Sequence, residues 1–162
     1  MSASFKSVPS GVHTWLILWK AARAVEARAH GSINGMGLCA SDFGILETLL
    51  HKGPLPVNVI GKKVLLTTGS ITSAVDRLAL RGLVARKDDP GDRRVRLVQL
   101  TAQGRRLIRP AFARHARDLE TLIGILSREE RSTLVKLLRR LGKSAAGADG
   151  TLDDTDTVET GR

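Results

Sequence analysis

The chain has 162 residues and a formal charge of +10, with a pI near 10.8. This length is enough for one folding unit with a sizeable core and is short for two. Residues 143–162 hold five acidic and two basic residues, a net charge of −3, so residues 1–142 carry +13. A body this basic predicts attraction to nucleic acid or to an anionic membrane, although a generally basic protein would show the same charge.

Cysteine count and hydropathy exclude further classes. Cys39 is the only cysteine, so the chain cannot form an intrachain disulfide or a disulfide-stapled secreted scaffold. The longest apolar run near the N-terminus, residues 15–19, is too short for a signal-peptide core or a spanning helix. The sequence therefore predicts a cytoplasmic protein with no membrane segment.

The first part of the chain predicts two helices. Residues 1–10 are rich in serine and predict a flexible arm. A first helix is expected from residue 11 to about 30, where the glycine-rich stretch 31–37 would end it. Ser41 is the expected N-cap of a second helix that stops before Gly53. The apolar stripe of the first helix has helical spacing and consists of Val12, Trp15, Leu16, Trp19, Ala22 and Val25.

The middle of the chain predicts a helix-turn-helix. Residues 57–64 have the apolar spacing of a short helix, and residues 65–69 form a turn. Residues 70–81 predict the next helix, which ends at Gly82. Two short helices joined by a tight turn are typical of this motif.

After Gly82 the apolar period changes to that of strands. Residues 83–87 and 94–100 predict two strands, and the polar turn between them predicts a hairpin. Thr101 is then the expected cap of a long helix, inside which Pro110 predicts a kink. Ser127 and Glu130 predict the capping box of a leucine-rich last helix. Residues 143–162 predict a disordered acidic tail, because they hold almost no large apolar side chains.

The sequence contains no recognisable catalytic or metal-binding pattern. Its four histidines are scattered, and one cysteine cannot build the usual structural zinc site. No glycine pattern matches a phosphate loop or a dinucleotide site, and no serine lies in a nucleophile frame. With no tyrosine and three phenylalanines, a stacking surface for single-stranded nucleic acid is poorly supported. We therefore predict no enzyme, no catalytic residue, no metal and no cofactor.

The helix-turn-helix offers polar side chains for DNA. A helix of this size fits the major groove, where small polar groups near its N-terminal end can reach bases and phosphates. The same residues could instead only cap and solvate a short helix. The candidate contacts are Thr67, Thr68, Ser70, Thr72 and Ser73, with Arg77 one turn further on.

The hairpin adds a second candidate DNA contact. Arg93, Arg94 and Arg96 lie at or beside its tip, and a narrow minor groove attracts arginine. Asp92 could hold Arg94 through a bidentate pair and fix its direction before contact. The alternative is an ordinary charged turn.

Residues 65–108 together resemble the winged helix-turn-helix core of the multiple antibiotic resistance regulator (MarR) family. With its flanking helices, the resemblance covers about residues 11–142. The matching features are the sequence VDRL at 75–78, the sequence GLVAR at 82–86, the pair Asp92 and Arg94, and the closing Leu100, Thr101 and Gly104.

The resemblance implies a mainly α fold with a small β-hairpin wing, and a homodimer. Residues 11–36 and 105–142 would be the dimerisation helices, and residues 41–104 the winged lobe. The implied function is sequence-specific binding of palindromic double-stranded DNA by a transcriptional repressor. The alternative from another class is an architectural protein that binds DNA without specificity.

Residues 41–72 look closest to family branches that respond to quinones and other electrophiles. This likeness suggests release from DNA by a small aromatic or oxidising compound. Cys39 is the candidate redox sensor, because it precedes the second helix near the expected junction of the dimerisation and DNA-binding parts. Trp15, Trp19 and Phe43 are candidates for an aromatic effector pocket. Alternatively, Cys39 is a small buried residue and the three aromatic side chains belong to the core.

Overall fold

The computed structural model describes residues 8–89, 91 and 95–147. It is mainly helical, with one small antiparallel sheet. In chain order the elements are α1 (Gly11–Asn34), α2 (Ala40–Lys52), β1 (Leu55–Pro56), α3 (Val57–Lys63), α4 (Thr68–Leu80), β2 (Val84–Asp88), β3 (Arg96–Leu100), α5 (Ala102–Ile123) and α6 (Arg128–Ala146).

Local capping signals predicted several helix starts correctly. Thr101 precedes α5, and its side chain accepts a hydrogen bond from the backbone N–H of Gly104. Ser127 and Glu130 form the predicted capping box of α6, each side chain accepting from the other's backbone N–H. A polar side chain placed this way satisfies donors that the first helical turn leaves unpaired, so the starting residue is fixed locally.

Other helix boundaries differ from those predicted. α1 continues through Gly31 to Asn34, since one glycine inside a long helix costs only about 1 kcal/mol. Ser41 is not the N-cap of α2; Cys39 holds that position without a side-chain cap bond. α4 starts at Thr68 rather than residue 70, because Thr67 caps it.

The last two helices are continuous through residues that the sequence pattern marks as breakers or tail. α5 continues across Pro110, where the predicted kink stays a prediction. α6 includes residues 143–146, which the composition had placed in a disordered tail; serine and alanine can extend a helix that is already formed. The rest of that predicted tail, residues 148–162, lies outside the described residues, as does most of the predicted N-terminal arm.

The predicted hairpin is present, and a third strand joins it. β2 and β3 pair antiparallel, with Val84 opposite Leu100 and Asp88 opposite Arg96. β1 pairs with the other edge of β3, which gives the order β1-β3-β2. The sequence did not predict β1, because a two-residue strand shows no alternation of apolar and polar residues.

The core lies inside the winged lobe, where α2, α3, α4 and β3 meet the first half of α5. Its largest fully buried side chains are Ile45, Leu46, Leu49, Ile60, Ile71, Leu78, Ile108, Val75 and Val98. By contrast, α6 has no buried residue, and the N-terminal half of α1 is mostly exposed.

Candidate nucleic-acid interface

α4 is amphipathic, and its polar face is exposed to solvent. Ile71, Ala74, Val75 and Leu78 point into the core and fix the rotation of the helix about its axis. The predicted contacts lie on the remaining surface of the helix, because side chains one turn apart share a face. These exposed residues are Thr68, Ser70, Thr72, Ser73 and Arg77.

Hydroxyl groups at the start of α4 are partly used within the helix. The Thr67 hydroxyl accepts from the Ser70 backbone N–H at 3.3 Å and donates to Ser70 Oγ at 2.9 Å. Thr72 Oγ1 donates to the carbonyl of Thr68 at 2.9 Å. The capping role that we considered is therefore real for Thr67, and the side chains of Thr67, Thr68, Ser70 and Thr72 all remain exposed.

Arg77 is held by a carboxylate from another helix. Its Nη2 donates to Asp42 Oδ1 at 2.5 Å, and its Nε lies 3.2 and 3.3 Å from the two carboxylate oxygens. Arg81 Nη1 donates to Asp42 Oδ2 at 3.3 Å. Asp42 is only 2% exposed, and its hydrogen bond and charge raise the pKa of Arg77. No pattern in the sequence indicated that Asp42 pairs with Arg77 and Arg81.

The described part of the wing carries two ion pairs. Arg86 Nη2 on β2 donates to Asp76 Oδ1 on α4, which joins the wing to the helix. Arg96 lies 3.5 Å from Asp88 across the hairpin, and both side chains are exposed. The predicted contacts Asp92, Arg93 and Arg94, and the pairing of Asp92 with Arg94, lie outside the described residues.

The junction between the wing and α5 explains three residues of the sequence pattern. Thr101 Oγ1 donates to the carbonyl of Gly82 at 2.7 Å. Gly82 has a φ of +68°, which favours glycine. A Cβ on Gly104 would lie 1.9 Å from the carbonyl oxygen of Leu83, so no side chain fits there. These contacts fix the root of the wing against the start of α5.

Cys39 is exposed and contacts Arg77, one of the two arginines that bind Asp42. Its Sγ is 3.2 Å from Ser41 Oγ, and Arg77 Nη2 donates to it at 3.8 Å. The alternative of a small buried residue is therefore wrong for Cys39. The thiol is accessible and contacts a side chain of α4.

The three aromatic effector candidates differ in burial. Phe43 is buried and contacts the ring of His115 edge to face, with centroids 4.9 Å apart. Trp15 and Trp19 are 58% and 47% exposed on α1. Phe43 is thus a core residue, and the two tryptophans are surface residues of the isolated chain.

A cleft that the sequence did not indicate lies between α1, α2 and the turn after α3. Its volume is about 570 Å³, and the titratable side chains in its lining are those of Glu26, His30, Glu47 and Lys63. Burial raises the pKa of Glu47, so its carboxylate is less readily ionised than usual. These residues come from three elements, and no local spacing brings them together in the sequence.

Residues 8–89, 91 and 95–147 contain no group of three acidic, histidine or cysteine side chains that could hold a metal ion. Over the same residues, no helix is both long enough and apolar enough to cross a membrane.

A helix-turn-helix whose second helix presents hydroxyl groups beside a β-hairpin defines a winged-helix DNA-binding protein. Comparisons with known proteins give the family. The family model described as "MarR family" matches residues 38–95. The regulator MhqR of Bacillus subtilis is 38% identical over 131 residues, which cover 81% of this chain and 90% of MhqR. The chain therefore belongs to the MarR family and is a DNA-binding transcriptional regulator.

Solved structures agree with this assignment. A transcriptional regulator from Pseudomonas aeruginosa superimposes with a TM-score of 0.68 at 33% identity, covering 78% of this chain and 94% of that one. BpsR of Bordetella bronchiseptica superimposes with a TM-score of 0.69 at 27% identity, covering 87% and 97%. DNA binding by BpsR is regulated by 6-hydroxynicotinic acid.

Proposed function

We propose that the chain is a cytoplasmic homodimer that binds palindromic double-stranded DNA as a sequence-specific repressor. In this proposal, a small aromatic or electrophilic compound, or oxidation, releases it from DNA. The observation that carries the proposal is the exposed hydroxyl face of α4 beside the wing, on a body with a charge of +13. A polar helix face fits the groove, and the net charge attracts the phosphates.

The dimer is supported by apolar surface that one chain leaves uncovered. Large apolar side chains are rarely exposed together on a monomer, because removing them from water is favourable. Here they concentrate on α1 and α6, the first and last helices. They are Val12, Trp15, Leu16, Ile17, Trp19 and Val25 on α1, and Leu134, Val135, Leu137, Leu138 and Leu141 on α6.

We propose that the DNA contacts follow the sequence prediction for α4 and the wing. Thr68, Ser70, Thr72 and Ser73 would face the major groove, with Thr67 at the capped start of the helix. Arg94 would enter the minor groove, directed by Asp92, while Arg93 and Arg96 would contact phosphates. Arg77 was predicted to contact DNA as well, but its Nε and Nη2 are already bonded to Asp42.

An effector would act near the junction of α1 and α2. DNA binding by BpsR is regulated by a hydroxylated aromatic acid, and this supports an aromatic compound as the effector of the present chain. The cleft beside Glu26, His30, Glu47 and Lys63 lies between α1 and the winged lobe. Trp15 and Trp19 would join an effector pocket only if a second chain covered them.

Oxidation would act at Cys39. The thiol is exposed and hydrogen-bonded to Arg77 of α4, so a larger or charged sulfur group there would disturb that arginine. Cys39→Ser tests this proposal directly. Release of the wild-type protein from DNA by peroxide or quinone, and retention of the variant, is the expected result. A variant that is released equally well would exclude Cys39 as the sensor.

Competition between DNA sequences separates the proposed regulator from an architectural protein. Labelled DNA from the region upstream of the protein's own gene would be challenged with unlabelled copies of itself and with unrelated DNA of equal length. A specific regulator should prefer the former by about a thousandfold or more. Equal competition by both DNAs would favour the architectural alternative.

A further inference from the structure

Asp42 lies where it can control the orientation of α4. It is in the first turn of α2, and its side chain is 3% exposed, whereas those of Arg77 and Arg81 are 47% and 41% exposed. A buried carboxylate is costly unless charged or hydrogen-bonding partners compensate it. Here the charged partners are Arg77 in α4 and Arg81, the C-cap residue directly after α4, so both ion pairs depend on α4 keeping its position.

The spacing of the two arginines makes the attachment directional. Arg77 lies in the last turn of α4, and Arg81 is the C-cap residue, whose backbone angles are still helical. The two are four residues apart, so their side chains project from the same side of the helix end. Arg77 reaches both oxygens of the carboxylate, with Nη2 on Oδ1 and Nε near both, and Arg81 Nη1 adds a second contact to Oδ2. Sliding α4 along its axis, or rotating it, would lengthen at least one of these contacts.

We propose that Asp42 is a positioning residue for sequence recognition, which holds α4 through Arg77 and Arg81 at the angle that base contacts require. Base readout needs side chains placed within about half an ångström, whereas phosphate contacts tolerate larger errors. Asp42 therefore affects specific DNA binding more than non-specific binding. The inference rests on the proposed sequence-specific function and gives Arg77 a role within the protein.

The direction in which Asp42→Asn changes DNA affinity distinguishes a positioning role from a purely electrostatic one. Asp42→Asn removes a negative charge and frees two arginines beside the DNA-binding helix. Electrostatics alone would then leave DNA binding unchanged or strengthen it on every sequence. Loss of positioning would weaken binding to the specific site only.

The experiment measures binding of full-length Asp42→Asn to its own upstream site and to unrelated DNA, over a series of salt concentrations. We expect specific affinity to fall by about tenfold or more, with non-specific affinity unchanged or higher. The slope of log affinity against log salt should stay the same, because no phosphate contact is lost. An unchanged ratio of the two affinities would overturn the proposal.

Asp76→Asn is the matched control, since it also removes an aspartate whose ion pair with an arginine joins α4 to another element. Asp76 is exposed and its partner, Arg86, lies on β2 rather than beneath the helix. We expect the ratio of specific to non-specific affinity to change by less than about twofold. If Asp76→Asn lowers the ratio as much as Asp42→Asn, the special role of Asp42 is refuted.

Arg77→Gln keeps the proposal testable if Asp42→Asn does not fold. A positioning role predicts a lower affinity ratio at an unchanged salt slope. A direct phosphate contact by Arg77 predicts weaker binding to both DNAs and a slope reduced by about 0.9, and that result would contradict the proposal. If wild-type protein shows no preference between the DNAs, the proposed function fails; if wild type discriminates and the variants do too, only this inference fails.

Discussion

Arg94 is the residue on which the proposed role of the wing depends. Its position in the sequence, two residues after Asp92 in the turn of the hairpin, predicts insertion into the minor groove. Arg94→Ala should lower affinity for the specific site by about tenfold while the oligomeric state is unchanged, because the residue lies away from α1 and α6 in the sequence. Fluorescence anisotropy and light scattering measure the two quantities. Unchanged affinity would refute the wing role.

His115 should make folding stability depend on pH. Burial lowers its pKa, although the charge of Asp118 partly opposes this effect, so the folded state favours the neutral ring. The unfolded chain binds a proton near pH 6.5, and stability is therefore lost as the pH falls below about 6.5.

Urea unfolding of wild type and His115→Phe at pH 7 and pH 5 checks this prediction. The variant keeps an aromatic ring against Phe43 and removes the titrating group, whose Nδ1 is buried without a hydrogen-bond partner among the described residues. We expect wild type to lose more stability than the variant between the two pH values. Equal losses would show that His115 does not contribute.

At the residue scale, sequence reasoning succeeded where a signal was local and failed where partners are distant. The polar face of α4 follows from helical spacing around Ile71 and Val75. The pairing of Asp42 with Arg77 spans 35 residues of sequence and depends on how α2 and α4 cross. No spacing rule indicates it, although an aspartate beside the buried Phe43 in an apolar helix is a weak sign that a charged partner is needed.

At the scale of elements, the close packing of the wing against the start of α5 should make a side chain at residue 104 destabilising. Gly104→Ala should destabilise the protein by at least about 2 kcal/mol, because the new Cβ would overlap the carbonyl of Leu83. A Cβ and a backbone carbonyl cannot rotate away from each other as two flexible side chains could. Thermal or urea unfolding measures the loss.

Gly69→Ala is the control for that substitution. Gly69 lies in the first turn of α4, and apart from its chain neighbours and the backbone of its own helix no described atom lies within 4 Å of the position that its Cβ would take. We expect a gain of up to about 1 kcal/mol, since alanine favours the helix. Similar losses for both variants would mean that the close approach of α5 to Leu83 is not the cause.

Element order was predictable and element boundaries were less so. Capping residues fixed the starts of α5 and α6 because the required groups lie within four residues of each other. β1 was missed because its pairing with Leu97 and Val98 is set by the packing of α3 beside the sheet. The cleft lined by Glu26, His30, Glu47 and Lys63 was missed for the same reason, since its lining joins residues from separate helices.

For the whole molecule, we expect α1 and α6 to become buried between two chains. Leu137→Glu places a charge in the exposed apolar face of α6 and should weaken the dimer by at least tenfold, which corresponds to about 1.4 kcal/mol. Light scattering over a range of concentrations measures this. Leu80→Glu, at an apolar residue that is 90% exposed on α4, should leave the mass unchanged. A wild-type monomer at micromolar concentration would contradict the proposed assembly.

The most direct test of a dimeric, sequence-specific regulator is a footprint on the DNA upstream of the protein's own gene, at moderate salt and without added ligand. Two winged lobes related by a two-fold axis should protect two similar half-sites, with centres one helical turn apart or a multiple of it. We expect two such protected blocks at protein concentrations that leave the flanking DNA uncovered. No protection, or even protection along the whole fragment, would contradict this function.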